Sequence, residues 1–274
     1  MTTHFYTDDF MWGVLGVRAL PHRLQHFTSV DVLEKIISSR TLRFARLDQV
    51  NDPEEADAVD LPLAASSVFV SCWTDAERDA LPMWSMYGDH FTGVRISLPS
   101  NMFAGRKKPN VFEDGGALLT FDGSCEIERA LPAMGGKGCA IIGPNKVHYT
   151  DDVRYRRPQM VHRSRGRAQV VPFDLGMVKG LDWAFEEEWR FKISLLSFEG
   201  NYPDDAYFNE ITLDLATYPV TTDHLLVPLD PSALDEMEVM VGPKADRDTV
   251  DRVAGVLRTY APKAELILSE RKVR

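Results

Sequence analysis

An α+β fold, organised as a single domain over residues 1–274, is predicted from three observations. Residues 67–73 (SVFVSCW) are mostly apolar or small and contain no charged residue, which is typical of a buried strand. Four apolar residues within 29–39 recur instead at helical spacing, namely Val32, Leu33, Ile36 and Ile37. Strand-like and helix-like segments follow one another in mixed order and without an internal repeat, which is the pattern of an α+β protein.

Strands are expected on both sides of this first helix, for which Ser29 is the predicted N-cap. Residues 23–28 (RLQHFT) precede the helix, and residues 41–47 (TLRFARL) follow it with apolar and charged residues in alternation. The sequence NDPEE at 51–55 predicts a turn, because Asn and Asp bond their own backbone and Pro stops a regular element. Its last residue, Glu55, is expected to pair with an arginine.

The middle of the chain is predicted to hold a short helix, a strand and an insertion. Residues 80–90 (ALPMWSMYGDH) favour a helix with Pro82 in its first turn, and residues 92–98 alternate as a half-buried strand. Residues 100–145 contain eight of the eighteen glycines and little periodicity. They are therefore expected to form a loop-rich insertion and not a separate domain. Strand character resumes at 146–151.

A strand–helix–strand unit is expected near the C-terminus. Residues 236–243 and 264–269 have strand character, and residues 246–261 predict an amphipathic helix capped by Asp246 or Asp248. The residues expected to face inward from this helix are Val250, Val253, Val256, Leu257 and Tyr260. If both strands lie in one sheet, they should be parallel with a right-handed crossover.

The composition excludes several classes of function. A net charge of −10 argues against a general nucleic-acid binder. No apolar run is long enough for a transmembrane helix and no signal peptide is visible, so a cytoplasmic protein without a membrane partner is expected. A protein delivered from one cell into another would have the same features. Because Cys72, Cys125 and Cys139 are widely spaced, no metal site is expected.

One segment departs from this acidic average. Residues 154–167 (RYRRPQMVHRSRGR) contain six arginines in fourteen residues. Two interpretations stay open for this basic segment. It is either a solvated loop or an anion site for a phosphate-bearing cofactor or a nucleic-acid target.

Three consecutive glutamates precede a predicted strand in the sequence WAFEEEWRF at 183–191. Strand alternation predicts one face for the core, comprising Trp189, Phe191, Ile193 and Leu195. The same alternation predicts a second, solvated face, comprising Glu186, Glu188, Arg190 and Lys192. Either this face is a structural ion-pair ladder, or it holds a rigid carboxylate for catalysis. A glycosidase pair ranks lower, because two residues on one strand hardly flank a sugar bond from opposite sides.

Seven motifs occur in one order along the chain: HFTS (26–29), LRFARL (42–47), NDPEE (51–55), SCWT (71–74), MWSMYGDHFTGVRI (83–96), WAFEEEWRF (183–191) and VMVGPKAD (239–246). Together they resemble the bacterial domain-of-unknown-function family 2971. A more distant similarity is to ADP-ribosyltransferase-like folds, which place a His or an Arg on an early strand, an aromatic residue on a middle element and a Glu on a late strand. The corresponding residues in this chain are His26, Tyr87 and Glu188.

The second resemblance implies a split mixed β-sheet with flanking helices and NAD as the substrate. It implies catalytic roles for Glu188, Glu186 and His26. The cofactor-binding residues it implies are His26, Thr28, Arg43, Arg46, Trp84 and Tyr87. The basic segment would bind the target through Arg157, Arg163, Arg165 and Arg167.

The expected function is therefore that of an NAD-dependent ADP-ribosyltransferase-like effector, of the toxin or antiphage type. It would modify a protein or a nucleic acid, and an antitoxin or immunity partner would fit this role. A nucleotide- or nucleic-acid-binding sensor module and an NAD glycohydrolase are the alternatives. Replacing Glu188 by Gln is expected to change stability little, or to raise it, because a repulsive neighbour of Glu186 is removed.

Overall fold

A large mixed sheet organises the fold, which is taken from a computed structural model that describes residues 13–76, 80–104, 110–111, 117–120, 140–164, 167–170, 174–194 and 220–273. The α+β class predicted from the sequence is confirmed within these residues. The strands of the large sheet are β1 (Arg23–Thr28), β2 (Thr41–Arg46), β3 (Val68–Thr74), β4 (Val94–Pro99), β5 (Asn110–Val111), β6 (Ala117–Thr120), β7 (Ala140–Lys146), β12 (Glu188–Ser194), β13 (His224–Pro228), β14 (Glu238–Val241) and β15 (Glu265–Leu268).

Smaller elements surround this sheet. Two two-stranded sheets pair β8 (His148–Tyr149) with β11 (Val178–Lys179) and β9 (Val161–Ser164) with β10 (Arg167–Val170). The described helices are α1 (Val30–Ser39), α2 (Leu81–Met86), α3 (Val153–Arg156), α4 (Pro231–Asp235) and α5 (Arg247–Tyr260). None of them has the length and apolarity that crossing a bilayer requires.

The large sheet forks at β3. One edge of β3 pairs with β12 along its whole length, from Val68 opposite Ser194 to Thr74 opposite Glu188. The other edge is shared, because β2 pairs with it only near Val70 and β1 only at Thr74. One branch continues from β2 to β13, and the other continues from β1 through β4 and β14 to β15. The sheet therefore opens between β1 and the rest of β3.

Each face of the central strands is covered by its own apolar cluster. The main cluster packs Trp73, Trp189 and Phe191 beneath α1 and α5. The second cluster covers the opposite face and contains Leu47, Leu61, Ala64, Ala65, Val68, Val70, Met160 and Leu175. The strand face predicted to be solvated is consequently buried, which corrects the expectation for Glu188, Arg190 and Lys192.

The predicted elements near the termini are largely present, with two corrections in helix orientation. Ser29 caps α1 as predicted, but the helix buries Val30 with Leu33, Ile36 and Ile37, while Val32 is exposed. The helix packs with Val30 facing the core, and Val32 lies about 200° around the helix axis from Val30, on the solvent side. Asp246 caps α5, and β14 and β15 are parallel as expected. Tyr260 ends α5 and is exposed, not inward-facing.

The segment predicted to be loop-rich contributes strands to the large sheet. β7 pairs with β12 and with β6, although its sequence AIIGPNK does not alternate. A register shift in the pairing of β7 with β12 lies at Gly143, where a Cβ atom would lie 2.4 Å from the Arg190 carbonyl oxygen. The close backbone approach explains the glycine, and the bulge explains why a period of two is absent.

Candidate functional site

A cleft opens where the sheet forks, between β1 and β3. Its volume is about 500 Å³ when the open solvent at its mouth is included. Its described lining consists of Gln25, His26, Phe27, Val50, Asn51, Cys72, Trp73, Met83, Tyr87, Lys179, Glu186, Glu188 and Arg190. His26, Tyr87 and both predicted catalytic glutamates thus meet in one cleft.

The three consecutive glutamates have three different environments. A 3₁₀ helix, Leu181–Glu186, precedes the strand, so Glu186 does not lie on β12 as predicted. Glu187 adopts a left-handed conformation with φ of 46° and exposes its side chain. The strand begins at Glu188. This left-handed residue, and not strand alternation, brings the side chains of Glu186 and Glu188 to the same cation.

That cation is Lys179, which no motif in the sequence indicated. Its Nζ lies 2.6 Å from Glu186 Oε2, 3.0 Å from Glu188 Oε2 and 3.3 Å from Glu55 Oε1. An ammonium group has three N–H donors, and here three carboxylates surround it. Lys179 is therefore the centre of a buried charge cluster.

Arg190 is the second cation of this cluster. Its Nη2 donates to Glu188 Oε2 at 2.9 Å and its Nε donates to Glu188 Oε1. Its Nη1 donates to Glu55 and to the Gly176 carbonyl oxygen. Glu55 does pair with an arginine, as expected from the NDPEE turn, but the pair is buried. We call Glu55, Lys179, Glu186, Glu188 and Arg190 the charge cluster.

The pKa values of the two glutamates in the cleft shift in opposite directions. Burial opposes ionisation of Glu188, but Arg190 and Lys179 outweigh it and lower the pKa of this carboxyl. Burial and the adjacent Glu188 charge raise the pKa of Glu186, and its pair with Lys179 compensates only in part. Glu186 therefore takes up a proton more readily than Glu188 does.

Tyr87 connects the charge cluster to the NDPEE turn. Its hydroxyl donates to Glu186 Oε1 at 2.5 Å, and the Asn51 side-chain amide donates to the same hydroxyl. Burial, and then the hydrogen bond to Glu186, raise the pKa of Tyr87, so the hydroxyl remains a neutral donor. A turn interpreted as structural thus supplies two residues of the site, Asn51 to the cleft wall and Glu55 to the charge cluster.

His26 lies on β1 and opens on the same cleft as Glu188, with β3 between their strands. Its Nδ1 is 2.9 Å from the Cys72 carbonyl oxygen. Burial lowers the pKa of His26, so the ring is neutral near pH 7. Because a carbonyl oxygen only accepts, Nδ1 carries the proton and Nε2 is left as an acceptor.

Four residues predicted to bind the cofactor are absent from the described lining of the cleft. Thr28 is buried where β1 pairs with β4, and Arg43 is exposed on β2. Arg46 pairs with Asp48 at 2.7 Å. Trp84 is fully buried, with its ring edge-on to Phe27 at 4.9 Å, behind the cleft wall.

The basic segment spans α3 and the β9–β10 hairpin. Arg157 is exposed and lies 3.6 Å from Asp57. The backbone of Arg163 lies in β9 and that of Arg167 in β10, where Arg167 pairs with Ser164. Arg165 and the side chains of Arg163 and Arg167 lie outside the described residues. Over the described ranges, no group of His, Cys, Asp or Glu is arranged to hold a metal ion.

Comparison with known proteins gives one match. Residues 83–191 match the model of a family described as a protein of unknown function (DUF2971). The matched region contains the motifs MWSMYGDHFTGVRI and WAFEEEWRF, and it confirms the family resemblance predicted from the sequence over less than half of the chain. No curated protein and no solved structure matches.

Proposed function

We propose that this protein is an ADP-ribosyltransferase-like enzyme that cleaves the nicotinamide–ribose bond of NAD. The observation that carries the proposal is Glu188, an ionised carboxylate fixed on a strand at a cleft where the sheet splits. Bond cleavage builds positive charge on the ribose, and a preorganised carboxylate stabilises that charge. The presence of His26 and Tyr87 in the same cleft supports the assignment.

Seven residues of the cleft and the charge cluster have defined roles in this proposal. Glu188 faces the developing ribosyl cation, and Glu186, with its raised pKa, accepts the proton of the attacking group. His26 Nε2 accepts a hydrogen bond from a ribose hydroxyl. The Tyr87 ring stacks on the nicotinamide. Arg190, Lys179 and Glu55 hold the two glutamates in position.

One observation favours a second candidate, a nucleotide-binding sensor module without chemistry. Both carboxylate oxygens of Glu188 are already engaged, Oε1 by Arg190 and Oε2 by Arg190 and Lys179. A carboxylate so fully paired can have a purely structural function. The two candidates differ in whether nicotinamide is released.

The direct test is to incubate the purified protein with NAD and a mixture of candidate protein and nucleic-acid acceptors. Free nicotinamide and label transferred from NAD to the acceptors are measured together. Release with labelling is the expected result. Release without labelling would identify an NAD glycohydrolase, and binding without release would identify the sensor module.

We propose that the protein is an effector of the toxin or antiphage type, with an immunity partner. The basic segment is proposed to bind the macromolecular acceptor. Replacing Arg163, Arg165 and Arg167 by Ala should weaken acceptor binding and lower its salt dependence, by about one unit of slope for each phosphate that an arginine no longer neutralises. Nicotinamide release without an acceptor should persist. Acceptor affinity is measured at several salt concentrations.

A matched control removes three exposed arginines elsewhere, Arg247, Arg258 and Arg271, and changes the net charge equally. Its salt dependence should stay close to that of the wild type. Equal effects in the two triple variants would show that the basic segment contributes only general charge.

A further inference from the structure

The two cations in the described lining of the cleft are engaged mainly by buried carboxylates. Lys179 donates hydrogen bonds to Glu186 and Glu188, and it forms an ion pair with Glu55 at 3.3 Å. Arg190 is bound to Glu55, Glu188 and the Gly176 carbonyl oxygen. The neutral ring of His26 adds no charge near pH 7.

The charge cluster carries an excess of one negative charge. Glu55, Glu186 and Glu188 are opposed by Lys179 and Arg190, and all five are buried. The excess falls on Glu186, because Glu55 and Glu188 each contact both cations while Glu186 contacts only Lys179. Burial, and then the adjacent Glu188 charge, raise the pKa of Glu186, and Lys179 and Tyr87 offset this rise only in part.

Aromatic rings line the same space. Tyr87 and His26 are half-buried, and the almost fully buried Phe27 and Trp73 complete this side of the wall. The faces of aromatic rings attract cations, most strongly where water is excluded. The cleft thus combines one incompletely compensated carboxylate with aromatic rings, which is a suitable environment for a flat organic cation.

We propose that the cleft selects a planar organic cation. This selection is inferred from the charge cluster and from the aromatic rings of the lining, and it does not depend on NAD being the ligand.

The test uses two rings that differ in charge but share their substituents. 1-Methylnicotinamide is a cation, and 1-methyl-1,4-dihydronicotinamide is its neutral counterpart. Binding of each to the wild type is measured by calorimetry at mildly alkaline pH. The cation should bind at least about tenfold more tightly, the factor that one desolvated cation–π contact provides.

Variants of Glu186 identify the source of the preference. Glu186→Gln should bind the two rings with nearly equal affinity, whereas Glu186→Asp keeps the charge and should retain most of the preference. Glu187→Gln removes the charge of an exposed neighbour and should retain all of it. Thermal unfolding of each variant confirms that it is folded before binding is compared.

Three results would overturn the inference: equal affinity of the wild type for both rings, no binding of either ring, or a preference that survives in Glu186→Gln. Nicotinamide release from NAD is measured separately on the same preparation. A wild type that prefers the cation but releases no nicotinamide would support the inference and contradict the proposed function. Nicotinamide release by a wild type that shows no preference for the cation would support the proposed function and contradict this inference.

Discussion

Replacement of Glu188 by Gln is expected to reduce nicotinamide release from NAD by about 10²- to 10³-fold, the usual cost of losing one preorganised electrostatic stabiliser. Glutamine keeps the size and much of the hydrogen-bonding capacity of the side chain, so the loss reports on charge. The measurement is nicotinamide release per folded molecule, at a temperature where both proteins are folded. A folded variant that releases nicotinamide at the wild-type rate would contradict the catalytic assignment.

The same replacement is expected to destabilise the fold by about 1.5 to 3 kcal/mol, because it weakens the charged hydrogen bonds to Arg190 and Lys179 in a buried network. Glu188 is 3% exposed and bonded to Arg190 and Lys179, which would be left with two carboxylates instead of three. Relief of its repulsion with Glu186 offsets part of this cost. The sequence led us to expect unchanged or higher stability for this variant. The burial of Glu188 and its ion pairs instead predicts lower stability.

Glu187→Gln is the matched control for both effects. It makes the same chemical change one residue away, on a side chain that is exposed and outside the charge cluster. Its nicotinamide release and its unfolding free energy should stay close to those of the wild type. Equal destabilisation of the two variants would mean that Glu188 and its partners contribute no more than general surface charge.

Local patterns predict the elements of this fold well where one residue period decides the structure. The alternation of Leu42 and Phe44 with Arg43 places β2 correctly, and Ser29 begins α1 as its capping role requires. The pattern predicts two faces for β12 but says nothing of what covers each face. The second cluster comes from residues 47–70, Met160 and Leu175, and only the tertiary fold brings these segments together.

The candidate site illustrates the same limit. His26, Tyr87, Glu186 and Glu188 are predicted from sequence, and they do meet in the cleft. Lys179 and Glu55 are not predicted as site residues, because their role depends on distances between segments far apart in the chain. A charged strand face that is buried requires opposite charges nearby. The sequence does not show that this face is buried, so it gives no reason to search for these partners.

Lys192 provides the second large expected effect, on the pH dependence of stability. Its side chain is 0% exposed beneath the second cluster, and its Nζ donates to the Leu175 carbonyl oxygen at 3.0 Å. Burial is the largest influence and lowers the pKa of Lys192 from 10.5 to about 7; Arg190 adds to this effect, and Asp174 opposes it. In the unfolded chain the ammonium is solvated and keeps its ordinary pKa.

The sign of the effect follows from proton binding. Between pH 7 and 10.5 the unfolded chain holds a proton on Lys192 that the folded protein has released. Stability should therefore rise with pH in this window, by at most about 1.4 kcal/mol per pH unit from this residue. Below pH 7 both states are protonated and the full cost of the buried charge, of order 5 kcal/mol as an upper bound, is present.

Lys192→Met should remove this dependence while filling the same apolar space. The variant should be more stable than the wild type near neutral pH, and the advantage should shrink by roughly 2 to 3 kcal/mol between pH 7 and pH 9. Urea unfolding at several pH values measures the difference, and Lys35→Met, at an exposed position of α1, is the control. A difference between wild type and Lys192→Met that is constant with pH would show that Lys192 titrates normally. Such a result would also mean that the ammonium group of Lys192 is hydrated in the folded protein, because an ordinary lysine pKa requires contact with water.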